Sequence, residues 1–174
     1  MIRQLGNHLG KWIALGYDHH ASEEIAAYVQ TLSRFGIVVP AVSGPDLYWI
    51  DSARVVCRAI QRKKDRIGVL LCSTGIGMSI AANKFRGIYA ARCVSEDDAR
   101  GARTINNANV LCLALRSGVE ANRKIIAAFM ETPFEGRKVE QLSEITTLEI
   151  ERPAPSHGSR SPQPVFARDQ RAVR

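Results

Sequence analysis

The stretch RIGVLLCSTGIGMS, which runs from Arg66 to Ser79, joins an apolar run to a glycine-rich turn and the start of a helical pattern. The run that ends at Cys72 is apolar beyond its first residue, as expected of a strand that is covered on both faces of a sheet. Gly75 and Gly77 allow the backbone to turn tightly and to approach a ligand closely. This order of strand, turn and helix is the building unit of α/β proteins, so the stretch predicts an α/β fold.

The same alternation continues on both sides of this stretch. Short apolar runs predict four more strands, at 12–16, 37–42, 87–93 and 109–115. Apolar residues at helical spacing and helix-capping residues predict helices at 23–35, 50–63, 76–84, from 95 onward, 118–131 and 137–150. Ser22 is expected to cap the first of these helices and Gly36 to end it, and Ser95 to head the fourth. We therefore expect a three-layer, Rossmann-like or flavodoxin-like domain, with a mostly parallel five-stranded sheet and helices on both faces.

Length and composition predict one folded domain with a tail. The chain has 174 residues, of which 45% are hydrophobic, and this is enough to form a core without disulfides or metals. We assign residues 1–150 to the domain and expect residues 151–174, which hold four of the seven prolines, to be a disordered tail. The sequence has no apolar stretch of about 18 residues and its first ten residues lack an apolar signal core, so we expect a cytoplasmic protein without a membrane span.

The charge and the cysteines argue against two further classes of protein, nucleic-acid-binding proteins and structural zinc proteins. The net charge is +7, but five arginines and two acids give the tail +3 of this, which leaves only +4 for residues 1–150. This is weak support for a nucleic-acid-binding protein and suits a pocket for small anions equally well. The four cysteines form no CxxC pair, so we expect no structural zinc and interpret them as reduced, with Cys57, Cys93 and Cys112 as small buried residues.

The glycine turn after Cys72 predicts an anion site, because backbone amides at a helix start point toward negative charge. Three named motifs are excluded. Ile80 replaces the third glycine of a dinucleotide fingerprint, Met78 and Ser79 replace the ending of a nucleotide phosphate loop, and Met78 also replaces the arginine of a Cys-x5-Arg phosphatase loop. A turn with a purely structural role is the alternative.

Cys72 ends the predicted strand and faces the start of the next helix, an environment that favours the thiolate. A thiolate beside amide donors suits removal of a proton next to a carbonyl group, with the amides holding the enediolate that forms. A buried, inert thiol is the alternative for this residue.

Three segments together resemble one enzyme family. They are GYDHH from Gly16, the 24-residue block GVLLCSTGIGMSIAANKFRGIYAA from Gly68, and NNANVLCLALR from Asn106. The chain resembles ribose-5-phosphate isomerase B, the galactose-6-phosphate isomerase subunits and related tetrose-phosphate isomerases, over about residues 12–150. The resemblance implies an aldose–ketose isomerase of phosphorylated monosaccharides that uses no metal and no cofactor. It also implies a homodimer, or a tetramer, whose subunits share residues across each active site.

The resemblance also assigns roles to individual residues. Cys72 takes the position of the base, and Thr74 is a candidate for the second proton donor. The other matched positions are Ser73, Gly75, Gly77, Ser79 and Asn83 for the oxyanion pocket, Asp18, His19 and Asn106 for substrate contacts, and Arg116 and Arg137 for phosphate. Arg137 is expected to reach the site from the partner subunit. Without the resemblance, Asp18 would be interpreted as a loop cap, His20 as an exposed residue, and both arginines as surface charges.

Three departures from the pattern concern the substrate. Ile105 stands where ribose enzymes of this family carry a ring-opening histidine, Gln141 replaces a second phosphate-binding arginine, and Trp49 replaces a proline beside Leu47 and Tyr48. We expect ribose 5-phosphate as the substrate. Because a tetrulose 4-phosphate cannot close a furanose ring, Ile105 makes a four-carbon substrate an alternative, and a galactose 6-phosphate type is another. A catalytically weakened partner subunit that only binds sugar phosphate is the runner-up function.

Overall fold

Five parallel strands form one sheet in the part of the chain that the computed structural model describes, residues 4–40 and 48–149. The strands are β1 Trp12–Tyr17, β2 Ile37–Pro40, β3 Ile67–Cys72, β4 Ala90–Arg92 and β5 Val110–Ala114, and their order in the sheet is β2-β1-β3-β5-β4. All neighbours pair in parallel. The predicted tail at 151–174, Leu47 and the end of the second predicted strand lie outside the described residues.

Helices connect the strands as predicted. They are α1 Ile25–Ser33, α2 Trp49–Arg62, α3 Ile76–Ala82, α4 Glu96–Thr104, α5 Val119–Glu131 and α6 Val139–Glu144. Three single 3-10 turns, His19–Ala21, Leu115–Ser117 and Ile145–Leu148, complete the described elements. No helix in the described residues is both long and apolar enough to cross a bilayer.

The two faces of the sheet carry separate apolar clusters, which confirms the three-layer arrangement. On β3, Val69 and Leu71 pack into a cluster with residues of α1, α4 and α5. Leu70 and Cys72 point to the other face, where they pack against residues of α2 and α3. All six residues of β3 are buried, as its continuous apolar sequence predicts for the central strand. The side chain of Cys72 therefore lies on the face that α2 and α3 cover.

The strand order fixes where a ligand can approach the sheet. From β1 the chain passes outward to β2, and from β3 it passes in the opposite direction to the edge strand β4 before it returns to β5. The connections on the two sides leave a crevice above the carboxyl ends of β1 and β3, the switch point at which α/β proteins bind ligands. Asp18 follows β1 and Ser73 follows β3 at this crevice.

Two local expectations are wrong in detail, and a third is confirmed. Ser22 does not cap α1, because Asp18 accepts a hydrogen bond from the His20 amide and starts a separate turn, and the Ser22 hydroxyl donates to the His19 carbonyl at 2.8 Å. The last predicted helix is shorter and ends in a 3-10 turn. Ser95 does cap α4, in a reciprocal capping box with Asp98.

The fourth strand is also shorter than the predicted 87–93. The side chain of Asn109 explains this difference: its oxygen accepts from the Tyr89 amide at 2.9 Å and its nitrogen donates to the Gly87 carbonyl at 2.9 Å. These bonds occupy backbone groups that a longer strand would pair with β5. Side-chain amides can replace strand pairing in this way, and sequence periodicity does not reveal it.

All four cysteines are free and buried, which confirms the prediction for Cys57, Cys93 and Cys112. Burial raises the pKa of the Cys57 thiol and of the Cys93 thiol to about 12 each, and it also raises the pKa of Cys112. These three thiols therefore stay protonated at neutral pH and act as small apolar core residues.

An amino-terminal arm, defined here as residues 4–8, crosses the amino edge of the sheet. Gly6 and Phe134 exchange backbone hydrogen bonds of 3.0 Å, and the His8 amide donates to the Met130 carbonyl at 2.8 Å. The His8 ring is fully buried, with Nε2 3.4 Å from the Ala108 carbonyl and Nδ1 3.1 Å from the Lys11 ammonium. These contacts fit a neutral ring that donates through Nε2 and accepts at Nδ1.

His8 makes the fold sensitive to acid. Burial, with the positive charge of Arg103, lowers the pKa of His8 from 6.5 to about 2. Because the folded-state value lies below the unfolded one, the contribution of His8 to stability is complete above pH 6.5 and is lost as the pH falls. Between pH 6.5 and pH 5 we expect the free energy of unfolding to drop by about 1.6 kcal/mol, because proton uptake on unfolding rises from about half a proton to nearly one over this range. Urea unfolding at several pH values measures this drop.

The matched control for this prediction is His8→Gln, which keeps a side-chain donor near the Ala108 carbonyl and removes the titrating group. In that variant the free energy of unfolding should change little between pH 6.5 and pH 5. If the free energy of unfolding fell equally with pH in the variant and in the parent protein, His8 would not be the group responsible for the pH dependence.

Candidate active site

The carboxyl ends of β1 and β3 bring Asp18 and Cys72 together. Tyr17 pairs with Leu71 in the sheet, and the Asp18 amide continues this pairing by donating to the Leu71 carbonyl at 3.2 Å. Both side chains are nearly buried, with 6% of Asp18 and 7% of Cys72 exposed. A carboxylate and a thiol thus lie on adjacent strands at the switch point, as the sequence predicts.

The glycine turn folds back onto the sulfur of Cys72. The Gly75 amide donates a hydrogen bond to Cys72 Sγ at 3.1 Å, so the turn is fixed directly to the sulfur. Gly75 has φ +71° and lies so close to β5 that an added Cβ would be 3.2 Å from the Leu113 carbonyl group. Glycine is therefore needed here both for its backbone conformation and for the space.

Replacing Gly75 with alanine should disturb both the turn and the site. The positive φ and the contact with Leu113 predict a loss of about 2 kcal/mol in the free energy of unfolding. Displacement of the amide from the sulfur predicts a fall of about tenfold in any Cys72-dependent rate. Chemical unfolding and a rate assay measure the two effects.

Gly10→Ala is the matched control, because Gly10 has φ +73° with open space around it and lies away from the turn. It should reproduce the backbone strain without the loss of rate. A Gly75→Ala protein with the full parental rate would show that the amide-to-sulfur bond has no catalytic importance.

The rest of the turn is held by one bond from the start of α3, one from the end of β4 and one from the segment after β5. The Thr74 hydroxyl accepts from the Ile76 amide at 3.3 Å, and the Thr74 carbonyl accepts from Arg92 Nε at 2.8 Å. The Arg116 amide donates to the Ser73 carbonyl at 3.4 Å, which places the exposed Arg116 side chain beside the turn. The carboxyl edge of the sheet thus brings together four of the predicted site residues, Ser73, Thr74, Gly75 and Arg116.

Arg92 is a residue of the site that the sequence analysis missed. It ends β4, and its guanidinium group holds the turn that begins at Cys72. A charged residue at the carboxyl end of an otherwise apolar predicted strand is the signal that could have found it, since all the strands of a parallel sheet end at the same edge.

Ser79 and Asn83 have structural partners in this conformation. The Ser79 hydroxyl donates to the Ile76 carbonyl at 2.8 Å. The Asn83 amide group exchanges two bonds with the backbone of Ala90, at 2.8 and 2.9 Å, and also donates to the Ser79 carbonyl. Asn83 therefore ties the end of α3 to the start of β4.

The two histidines after β1 are exposed and lie against each other, with 3.9 Å between the ring centroids. His20, rather than His19, has a ring nitrogen near the Asp18 carboxylate, at 3.5 Å. Asp18 does act as a turn cap, as its alternative interpretation holds, and it directly follows Tyr17, whose partner Leu71 precedes Cys72 on the neighbouring strand.

Asn106 and Arg137 lie away from these residues, at the opposite edge of the sheet. Helix α4 starts after the carboxyl end of β4 and ends at Thr104 before the amino end of β5, so Asn106 follows it at the amino edge. Arg137 lines a cavity of about 230 Å³ together with Thr104, Pro133 and Glu135. A single chain thus places Asn106 and Arg137 in one region and Cys72 in another.

The three positions that depart from the family pattern also fall into two groups, one beside the Cys72 turn and one on the side of Asn106 and Arg137. Trp49 lies against the first turn of α3, where its ring carbon Cζ3 would be 3.2 Å from a Cβ on Gly77. Trp49 therefore forms a wall next to the Cys72 turn. Ile105, at the end of α4, and Gln141, on α6, are on the side of Asn106 and Arg137.

Comparison with known proteins identifies the class that this fold and site define. The family model described as Ribose/Galactose Isomerase matches residues 13–145. The chain belongs to this family of sugar-phosphate isomerases, which confirms the resemblance found in the sequence.

Individual relatives differ in the substrate that their names give. A D-erythrulose-4-phosphate isomerase of Pectobacterium atrosepticum is 39% identical over 129 residues, which cover 71% of this chain and 85% of that protein. A probable ribose-5-phosphate isomerase B of Mycoplasma genitalium is 43% identical over 88 residues, 49% of this chain and 58% of that protein. The solved type B ribose 5-phosphate isomerase of Leishmania infantum has a TM-score of 0.73 and 38% identity, and the match covers 81% of this chain and 97% of that one.

Proposed function

We propose that this protein is an aldose–ketose isomerase of a phosphorylated monosaccharide, with Cys72 as the base. One observation carries the proposal: a nearly buried thiol at the switch point accepts a hydrogen bond from the Gly75 amide, and Asp18 directly follows the end of the neighbouring strand β1. Pure binding of a sugar phosphate has no use for a thiolate in this position, so the arrangement favours an enzyme over a partner subunit that only binds.

In the proposed reaction, the Cys72 thiolate removes the proton from the carbon next to the substrate carbonyl. The electrons of the broken C–H bond form the C=C bond of an enediolate, and the carbonyl oxygen takes up the negative charge. The thiol then returns the proton to the neighbouring carbon. A hydroxyl proton moves from one of the two oxygens to the other, and this second transfer completes the isomerisation. Thr74 is the candidate for the second transfer, since its hydroxyl belongs to the same turn.

The Gly75 amide links proton removal to stabilisation of the oxyanion. Before the reaction it donates to the sulfur. Once the sulfur is protonated it is a weaker acceptor, and the amide becomes available to the negative oxygen that has just formed. The Arg92 bond to the Thr74 carbonyl keeps the turn in place during this exchange.

We further propose that the working form is a homodimer with shared active sites. Asp18, Cys72 and Arg116 lie at the carboxyl edge of the sheet, whereas Asn106 and Arg137 lie at the amino edge. One chain cannot bring all five to a single small substrate. A second copy that presents its amino edge to the Cys72 turn supplies the missing groups, and the two sites of a symmetric dimer are completed in the same way.

Ribose 5-phosphate is the first substrate we propose. The solved Leishmania structure that matches nearly its whole length is a ribose 5-phosphate isomerase, and the carboxyl-edge residues Asp18, Cys72 and Arg116 fit any phosphorylated aldose or ketose. In this proposal ring opening needs a proton-transferring group other than Ile105, and His20, next to Asp18, is a candidate.

A four-carbon ketose phosphate is the second candidate substrate. Ile105 favours it, because isoleucine transfers no proton and an acyclic tetrulose 4-phosphate has no ring to open. The relative from Pectobacterium, which is matched over 85% of its length, is an isomerase of such a compound. Trp49, as a bulky wall beside the turn, also suits a shorter substrate.

The test is hydrogen exchange at carbon. The purified full-length protein is incubated in deuterated water with ribose 5-phosphate and, separately, with D-erythrulose 4-phosphate, and NMR follows deuterium entry at the carbon next to the carbonyl. We expect exchange with at least one of them, and the faster substrate identifies the carbon number. Absence of exchange with both compounds and with galactose 6-phosphate would overturn the enzymatic proposal in favour of a binding subunit.

A further inference from the structure

The amino-terminal arm, residues 4–8, contacts the two segments that the proposed dimer would deliver to the neighbouring copy. We propose that the arm positions these segments and thereby acts on the active site of the partner subunit. This inference depends on the shared-site dimer proposed above. The family match begins only at residue 13, so the arm is an addition to the part of the chain that the family model describes.

The first contact is made by Arg103, in the last turn of α4. Arg103 is fully buried, and one of its nitrogens donates to the carbonyls of Gln4 at 3.2 Å and Gly6 at 2.9 Å. Another donates to the Ala108 carbonyl at 2.7 Å. The guanidinium group thus joins the arm to both ends of the turn that carries Ile105 and Asn106.

The second contact comes from the backbone of the arm. The Gln4 amide donates to the Asn107 side-chain oxygen at 3.3 Å, and Asn107 has the left-handed φ of 51°. A residue held at such an angle fixes the direction in which the preceding Asn106 is presented. The side chain of Gln4 anchors the arm in turn, since it donates to the carbonyls of Lys64 at 2.6 Å and Arg66 at 2.8 Å.

The third contact concerns the segment of Arg137. Gly6 exchanges two backbone bonds with Phe134, three residues before Arg137, and this pairing sets the path of the chain toward the cavity next to Thr104. The arm therefore holds the turn with Asn106 and the segment with Arg137 in one arrangement. It makes these contacts at the amino edge of the sheet, the edge opposite Cys72.

Gln4→Ala tests the proposal in the full-length protein, because it removes the anchor to Lys64 and Arg66 and leaves both proposed catalytic segments unchanged. We expect kcat/KM for isomerisation to fall about tenfold, mainly through KM, as the phosphate and hydroxyl contacts lose their alignment. Arg103→Lys, which keeps the charge but loses the fork of donors, should act in the same direction. Leu5→Ala is the matched control, since Leu5 lies in the same arm and is 55% exposed. It should stay within twofold of the parent.

Mixed dimers distinguish positioning across the interface from a general effect on folding. Two affinity tags isolate dimers that contain one Cys72→Ala chain and one Gln4→Ala chain. If the arm acts on the partner's site, one site combines an intact Cys72 with an intact arm, and the mixed dimer recovers about half of the parental kcat/KM. If the arm acts within its own chain, the one site with an intact Cys72 has the altered arm, and the mixed dimer keeps only about a twentieth of the parental kcat/KM.

Recovery to about half supports the inference, and the lower value overturns it. Parental kcat/KM for the Gln4→Ala and Arg103→Lys homodimers would also overturn it, with the proposed function intact. A protein that isomerises its substrate as a monomer would exclude the shared site and the inference together. No exchange by the parent protein would instead mark failure of the proposed function itself.

Discussion

Replacing Cys72 with alanine is expected to lower the rate of hydrogen exchange at the substrate carbon by about a thousandfold or more. The proposed reaction has one group that takes the proton from carbon, and general bases of this kind contribute about 10²–10⁴ to a rate. No second thiol can replace it, because Cys57, Cys93 and Cys112 are buried, and burial raises the pKa of each of these thiols. The loss should appear in NMR exchange with every substrate that the parent accepts.

The control for this variant is Cys93→Ala. Cys93 directly follows β4 at the same edge of the sheet and is 1% exposed, so its replacement removes a comparable buried thiol. Burial raises the pKa of Cys93 to about 12, and we therefore expect its loss to leave exchange within a few-fold of the parent. Cys72→Ser should resemble Cys72→Ala, because a serine hydroxyl is a much weaker base than a thiolate.

Stability needs to be followed together with rate. In Cys72→Ala the Gly75 amide loses its hydrogen-bond acceptor, Sγ. We expect the free energy of unfolding to fall by about 1 kcal/mol for this one hydrogen bond. A protein that stays folded but no longer exchanges hydrogen would establish the role of the thiol. Substantial exchange by folded Cys72→Ala would assign the base to another group, and Asp18 would be the first to test.

The parts of the site that were predictable from sequence are those that depend on one strand and its turn. The continuous apolar run before Cys72 predicts that this residue ends a buried central strand. The rule that α/β proteins bind ligands at the carboxyl ends of their strands then predicts that Cys72 lies at the ligand-binding edge of the sheet. Outside the site, Ser95 caps α4 as its position at the head of the predicted helix indicates. In each of these cases the residues that determine the structure are neighbours in the chain.

The features that sequence analysis missed depend on contacts between distant residues. Arg92 reaches Thr74 across the sheet edge, and Asn109 replaces strand pairing at Tyr89. An arginine in the last turn of a helix is normally expected on the surface. Arg103 is nevertheless fully buried, because the arm covers it. No periodicity marks such contacts, since each needs a partner whose position only the folded chain defines.

Introducing histidine at Ile105 has the second largest expected effect, and it acts on substrate choice. In the dimer proposed here, Ile105 lies on the turn that the partner presents to the sugar. A histidine there can transfer the proton that opens a furanose ring. If the parent protein has no ring-opening group, general acid–base catalysis of that step predicts a gain of about a hundredfold with ribose 5-phosphate, whereas a parent that already opens the ring through His20 should gain little. A tetrulose 4-phosphate forms no such ring, so its turnover should stay within a few-fold of the parent.

Side-by-side kinetics with the two substrates decide the question. Ile105→Gln is the matched control, because it adds a polar side chain that cannot transfer a proton, and it should raise neither rate. A selective gain with ribose 5-phosphate would mean that the parent protein lacks ring opening and is suited to an acyclic substrate. Equal changes with both substrates would exclude that explanation, and fast turnover of ribose 5-phosphate by the parent would instead assign ring opening to another group, with His20 beside Asp18 as the candidate.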